Sequence, residues 1–406
     1  MMGHDTSSVN RRGFLQTGAV ATASALTLAS GSQAAPKDAT KASQLPRRKL
    51  GNTGVDVTIL NLGTWKGVGL DRLLRFAYAN GVRYYDTADC YGSEPFIARW
   101  LQAMPEVRKE IFLVTKDHPR EPRQLIAQLD KRLAALQTDY VDMFLIHGIG
   151  GGYGPQSLEW PKSKELKDTI ETIKKSGKAK FVGFSCHDPR RAEYLQAAAE
   201  GGFIDAIMVQ YTAWLDKSAP LNRALDACHK RGIGLISMKQ VAGQTDKLGE
   251  QVRIHAPGLI EKGLTPYQAL LHAIWTDERI STSCVSMRNT DQVRENAAAA
   301  KTYKPLEQAE INQLRDACLA AGPTFCADCD GRCARAGGTK AALGDLTRLL
   351  TYHEQYGYRS DARRLYAAMD PSERDWKGAD LEAARQACPN HLNFASLLPE
   401  AERHLA

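Results

Sequence analysis

Dense runs of lysine and arginine are missing from this chain of 406 residues. Its formal charge of +7 is spread along the whole length. An excess so diffuse argues against a nucleic-acid interface, which gathers its cations on one face. Long apolar runs are missing as well. Apart from a short Ala-rich stretch near the N-terminus, no segment is long enough to span a bilayer, so no stable membrane anchor is expected. No Gly-x-Gly-x-x-Gly follows the first strand-like run, which weakens the case for an open, doubly wound dinucleotide-binding sheet. A Ser/Gly/Pro-rich linker is also lacking, so the last hundred residues are expected to pack on the rest of the chain. What is present is 43% hydrophobic residues, enough for a substantial core.

The N-terminal segment NRRGFLQTGAVATASALTLASGSQAAP sets Arg11 and Arg12 before a short, weakly apolar run, with small residues at Ser32 and Ala34. That order suits an export signal over residues 1–35 that is cleaved from the mature chain. The paired arginines resemble a twin-arginine signal, which implies the twin-arginine export machinery as a partner and a periplasmic destination. A general secretory signal with two chance arginines is the alternative.

From residue 57 to 302 short apolar runs alternate with longer amphipathic ones. The strand-like runs cover 57–63, 82–88, 111–116, 140–147, 180–185, 205–211, 233–239 and 280–287. Helical patterns lie between them, such as 122–137 and 164–177, the latter closing on Gly177. Strands that are apolar throughout are buried on both faces, as in a parallel sheet. Eight strand–helix units in about 250 residues match a closed (β/α)8 TIM barrel, with the doubly wound sheet as the alternative. The expected organisation is a barrel over 46–302 followed by a helical, cysteine-containing extension over 303–406, with helices near 305–321, 343–357 and 359–369.

Barrels collect chemistry at the C-terminal ends of their strands. Here the second strand ends in Asp86, with Tyr91 in the turn beyond it, the third ends in Lys116 and the fourth in His147. A phenol holds a proton at neutral pH, and a nearby ammonium is expected to lower its pKa. Asp86 can pair with Lys116, and His147 can orient a carbonyl oxygen or relay a proton. Together they make a carbonyl-polarising site. It lacks a reductant, because no side chain donates hydride; a nicotinamide cofactor would supply one. Taken singly, each residue has an ordinary structural explanation: a turn aspartate, a snorkelling lysine, a hydrogen-bonded tyrosine or histidine.

DTADCYG, VTK and FLIH, in that order, resemble the aldo-keto reductase family, as do RKLGNTG at 48–54 and NLGTW at 61–65. The resemblance covers about residues 47–302. It implies a (β/α)8 barrel opened by an N-terminal β-hairpin, binding an extended NADP or NAD without a Rossmann domain. It also implies Tyr91 as acid–base, Lys116 as its tuner, Asp86 as the lysine's partner and His147 as the carbonyl orienter. By the same resemblance Ser185 and Gln210 bind the nicotinamide carboxamide, and Met238 covers the ring where family members often have an aromatic residue. The resemblance also implies Glu295 and Asn296 as adenine contacts, with Arg288 nearby as a residue that could contact a 2′-phosphate. Cys186 takes the place of an expected asparagine, and Ser286 and Gln292 replace basic residues common in NADP-preferring members. The choice between the two dinucleotides stays open.

Nine cysteines remain to be placed. Cys90, Cys186, Cys228, Cys284 and Cys318 are scattered, and read as small buried apolar residues. Cys326, Cys329 and Cys333 form a C-x2-C-x3-C run in a Gly/Asp turn, with Cys388 far downstream. Four such thiols suit a four-iron four-sulfur (4Fe-4S) cluster. A structural zinc or two disulfides are the alternatives. The arrangement also resembles the ferredoxin-like tail of a twin-arginine-exported branch of the same family, with a different spacing.

The combined expectation is a carbonyl reductase acting on an aldehyde, ketone or sugar, its mouth walled by Trp65 and the loop 148–161. Hydride transfer moves two electrons and a cluster moves one, so the cluster is expected to be structural or to serve a redox partner. Two alternatives stay open: a non-turning-over barrel acting as a redox-partner or binding module, and another barrel enzyme such as an isomerase, which predicts no dinucleotide binding.

Overall fold

The computed structural model describes residues 44–406 apart from 66, 68, 189, 216, 218, 241–246, 322–325, 327–330 and 355–358. The expected export signal and Cys329 lie outside the described residues.

A two-stranded antiparallel hairpin, β1 (Arg47–Lys49) and β2 (Asp56–Thr58), opens the fold. Eight parallel strands follow and close on themselves: β3 (Leu60–Gly63), β4 (Tyr84–Asp86), β5 (Phe112–Asp117), β6 (Val141–Ile146), β7 (Ala179–Cys186), β8 (Ala206–Gln210), β9 (Gly234–Met238) and β10 (Ile280–Ser286). β10 pairs with both β9 and β3, which leaves the barrel sheet without an open edge.

One expectation changes. The run 57–63, read as one strand, is divided at Ile59. Its amide donates back to the Pro46 carbonyl, and the Thr58 hydroxyl donates to the Leu60 carbonyl. The residues before this corner belong to the hairpin and those after it to the barrel.

Two apolar layers hold the barrel. Inside it, Tyr84, Phe112, Val114, Met143, Leu145, Met208 and Ile236 pack together, and hairpin residues Leu50 and Val57 join them. Outside, the strands' other faces meet the helices in a larger core that includes Trp100, Phe144, Phe184 and Trp275. β7 and β8 approach so closely at Gly183 that a Cβ there would sit 1.9 Å from the Ala206 carbonyl oxygen. Glycine is the residue that fits.

Beyond the barrel, helix Gln308–Ala321 shares an apolar core with helices Leu248–His255 and Pro266–Thr276 through Ile311, Leu314 and Cys318. Residues from Cys333 onward build a core of their own around Leu346, Leu350, Phe394 and Leu398. No helix of the described residues is long and apolar enough to cross a membrane.

Candidate active site

β4 delivers Asp86 to the barrel mouth, and a short 3-10 turn, Asp89–Tyr91, follows it. Gly92, at φ +68°, takes the left-handed conformation that turns the chain into helix Glu94–Ala103. Buried hydroxyls brace this corner: Ser93 Oγ lies 2.7 Å from Thr64 Oγ1 and 2.5 Å from Thr87 Oγ1.

β5 brings in Lys116, whose ammonium donates to both Asp86 carboxylate oxygens at 2.6 Å and to the Thr87 carbonyl at 2.8 Å. The pair is almost sealed, with Lys116 1% and Asp86 2% exposed. Lys116 Nζ also lies 5.1 Å from the centre of the Tyr91 ring. His147, immediately after β6, faces the same ring edge-on, with Nε2 3.4 Å from the Tyr91 hydroxyl. The structure therefore brings Asp86, Tyr91, Lys116 and His147 to one end of the cylinder.

The electrostatics depart from one expectation. Lys116 does not lower the Tyr91 pKa. Burial, followed by the negative Asp86, pushes the phenol well above its ordinary value. The physical reason is that Asp86 cancels the lysine's charge at close range while burial penalises a phenolate. Tyr91 is thereby kept as a proton-bearing hydroxyl. Burial drives His147 the other way, down to about 4, even though Asp89 opposes the change. The imidazole is neutral at ordinary pH, able to donate through one nitrogen and accept through the other.

The cofactor candidates fall into two groups. Ser185 and Gln210 stand at the ends of β7 and β8, and Gln210 pairs in register with Met238 at the end of β9. The Ser185 hydroxyl accepts the Gly148 amide at 2.8 Å. Two residues beyond Gln210, the buried hydroxyl of Thr212 has no partner. An orphaned polar atom beside these strand ends suits a polar ligand laid across them. The second group lies on helix Thr290–Lys301, capped by Asn289. Its first turn opens beside Ser286 and Arg288, a setting that favours an anion. Asn296 is buried, and Glu295 accepts the Thr265 hydroxyl that caps the neighbouring helix.

Several residues at the mouth escaped the sequence reading. Arg348, on helix Leu343–Glu354 of the extension, donates to Gln210 Oε1 at 2.8 Å and pairs with Asp345. Lys239 Nζ lies 5.5 Å from the Tyr352 ring centre, and Lys239 itself has φ +53°. Left-handed backbone at a non-glycine residue is uncommon and is typical of functional strand ends. No local pattern signals the contacts to Gln210 and Tyr352, because they join positions more than a hundred residues apart. Cys90, expected in the core, is instead exposed at the mouth. His118 was also missed, although it lies two residues from Lys116. The Asp89 carboxyl lies below the usual range: burial opposes this, but the hydrogen bond with His118 and the nearness of His147, 3.5 Å away, outweigh it.

The walls agree with expectation in part. The 148–161 loop folds into 3-10 turns, and Tyr153 in the first of them donates to the His147 carbonyl. In the extension, Cys326, Cys333 and Cys388 share one apolar core. A surface recess between Asn52, Lys174 and Gly232, at the opposite end of the barrel, contains none of these groups.

Against known proteins, residues 69–253 match the model of the aldo/keto reductase family. The chain is 24% identical over 331 residues to L-glyceraldehyde 3-phosphate reductase of Escherichia coli (strain K12), covering 66% of this chain and 92% of the relative. It is 25% identical over 290 residues to L-galactose dehydrogenase of Arabidopsis thaliana, covering 64% and 89%. Over 157 residues it is 30% identical to glyoxal reductase of Bacillus subtilis (strain 168), covering 37% and 52%. The holo form of an aldo-keto reductase from Bacillus halodurans superposes with a TM-score of 0.53 at 22% identity, covering 68% of this chain and 96% of that one, a likeness of fold.

Proposed function

We propose that this chain, whose residues 69–253 match the aldo/keto reductase family model, is a nicotinamide-dependent oxidoreductase that reduces an aldehyde, ketone or sugar carbonyl with Tyr91 as the proton donor. The observation that carries this reading is the meeting of a protonated phenol, a neutral imidazole and a sealed Lys–Asp pair at one barrel rim. A dinucleotide held by Ser185, Gln210, Arg288 and Asn296 would supply the hydride.

The chain's own residues do the rest. His147 Nε2 and the Tyr91 hydroxyl, 3.4 Å apart, face a common point where a carbonyl oxygen accepts hydrogen bonds from both. As negative charge grows on that oxygen, Tyr91 gives up its proton to it. Asp86 holds the Lys116 ammonium beneath the Tyr91 ring, where the cation limits the cost of the phenolate left behind. Lys116 thus acts on the transient anion and not on the resting phenol.

The same reading extends to the rest of the molecule. Residues 1–35 direct twin-arginine export to the periplasm, and Cys326, Cys329, Cys333 and Cys388 hold a 4Fe-4S cluster that is structural or serves a redox partner. Reductase and dehydrogenase relatives across the barrel support the reaction class.

The test is Tyr91→Phe in the mature protein, assayed with a generic aldehyde and titrated with dinucleotide. Turnover should fall by about 10²–10⁴-fold while dinucleotide affinity stays within about threefold. Undiminished turnover would overturn Tyr91's role. Absence of dinucleotide binding in the wild type would overturn the reductase reading and favour the isomerase alternative.

A further inference from the structure

We infer that Asp89, Cys90, His118 and His147 form a site for one divalent cation of the zinc class at the barrel mouth. The inference goes beyond the reductase reading and does not rest on it, since it is argued from the donor atoms alone. All four donor atoms lie within 4.8 Å of one another. Asp89 Oδ2 is 3.1 Å from His118 Nδ1, Asp89 Oδ1 is 3.5 Å from His147 Nδ1, and Cys90 Sγ is 3.8 Å from His147 Nδ1. A tetrahedral zinc with bonds of about 2.0–2.3 Å requires donor-to-donor edges of roughly 3.3–3.8 Å. The two edges to His147 lie within that range, the edge to His118 is slightly shorter, and the remaining donor pairs are bounded by 4.8 Å, so closing on an ion takes a modest adjustment of side chains.

A second observation points the same way. Asp89 Oδ1 is buried and has no hydrogen-bond partner. A carboxylate oxygen left so costs free energy unless a cation reaches it. Lys116, on the neighbouring strand, is already committed to Asp86. The donors are also held from behind. The His147 amide donates to the Asp117 carbonyl, the Tyr153 hydroxyl donates to the His147 carbonyl, and Gln128 donates to the His118 carbonyl. Such backing orients metal ligands.

The donor set selects the ion. One thiol, two imidazoles and a carboxylate suit zinc and its congeners, whereas calcium and magnesium require oxygen donors. Binding releases the Cys90 proton, so carboxylate and thiolate balance the dication. With the metal on His147 Nδ1, the ring's remaining proton must sit on Nε2, the nitrogen that faces Tyr91.

Cobalt(II) is the probe, added to the chelator-treated mature chain. Both the tail cysteines and a separate His353–Glu354–His404 group offer donors elsewhere, so the readout is the difference between wild type and variant. Wild type should take up one equivalent more than Cys90→Ser and show a thiolate-to-cobalt absorption that this variant lacks. His118→Ala should weaken the same site by at least 10–100-fold. Both side chains are exposed, so neither variant should disturb folding, which circular dichroism checks. Equal stoichiometry, affinity and absorption in the three proteins would overturn the inference and leave the Tyr91→Phe test of the reductase untouched.

Discussion

Replacing Lys116 by methionine keeps most of the length of the side chain and removes its charge. The Asp86 carboxylate, 2% exposed, then loses two hydrogen bonds of 2.6 Å, and the Thr87 carbonyl loses one of 2.8 Å. At that separation the gross attraction is about 6 kcal/mol for an effective dielectric of about 20. Most of it is offset by desolvation of the two charges, so the pair's net contribution is far smaller. Breaking the pair is costly for a different reason: it strands a buried carboxylate, a penalty of about 3–5 kcal/mol. Lys116→Met should therefore lower unfolding stability by that amount, read from urea midpoints monitored by tryptophan fluorescence. Asp86→Asn combined with Lys116→Met removes both charges and should recover about half of the loss. A cost below about 1 kcal/mol for the single variant, or a double variant as unstable as the two single losses added together, would refute the reasoning that the pair is sealed and coupled.

Two further outcomes follow from other parts of the molecule. Arg348→Ala removes the cation that fixes the Gln210 amide; if Gln210 orients the dinucleotide, the KM for it should rise about tenfold with kcat little changed, matching the loss of one charge-assisted hydrogen bond, and an unchanged KM would separate the extension from the cofactor site. His272 is buried, bonds the Ala299 carbonyl, and has its pKa lowered from 6.5 chiefly by burial. The unfolded chain then takes up a proton at higher pH than the folded one, so the His272 contribution is complete above pH 6.5 and is lost as pH falls through the lowered folded value. Urea midpoints at pH 7 and pH 5 should fall less for His272→Gln than for wild type, and equal falls would show that His272 is not linked to folding.

Much of the barrel was legible because its signals are local. Alternating apolar strands and amphipathic helices follow from backbone periodicity, and all eight strand runs appear in the closed sheet. The 57–63 run misled for a local reason too: hairpin and barrel strand are both apolar, and only the corner at Ile59 parts them. Asp86, Tyr91, Lys116 and His147 could be picked out because strand ends in a barrel share one rim. Their protonation behaviour could not. Proximity of a lysine suggests a lowered phenol pKa, yet burial and the Asp86 carboxylate decide the opposite.

By itself the sequence determined the order of strands and helices, the side-chain types at the strand ends and the spacing of the tail cysteines. These depend on periodicity and on neighbours along the chain. Only the tertiary structure decided that Arg348 reaches Gln210, that Cys90 is exposed beside His147, and that Asp89 Oδ1 is buried without a partner. Those facts depend on which surfaces exclude water once the barrel closes and the extension packs, and burial of that kind is a property of the whole fold.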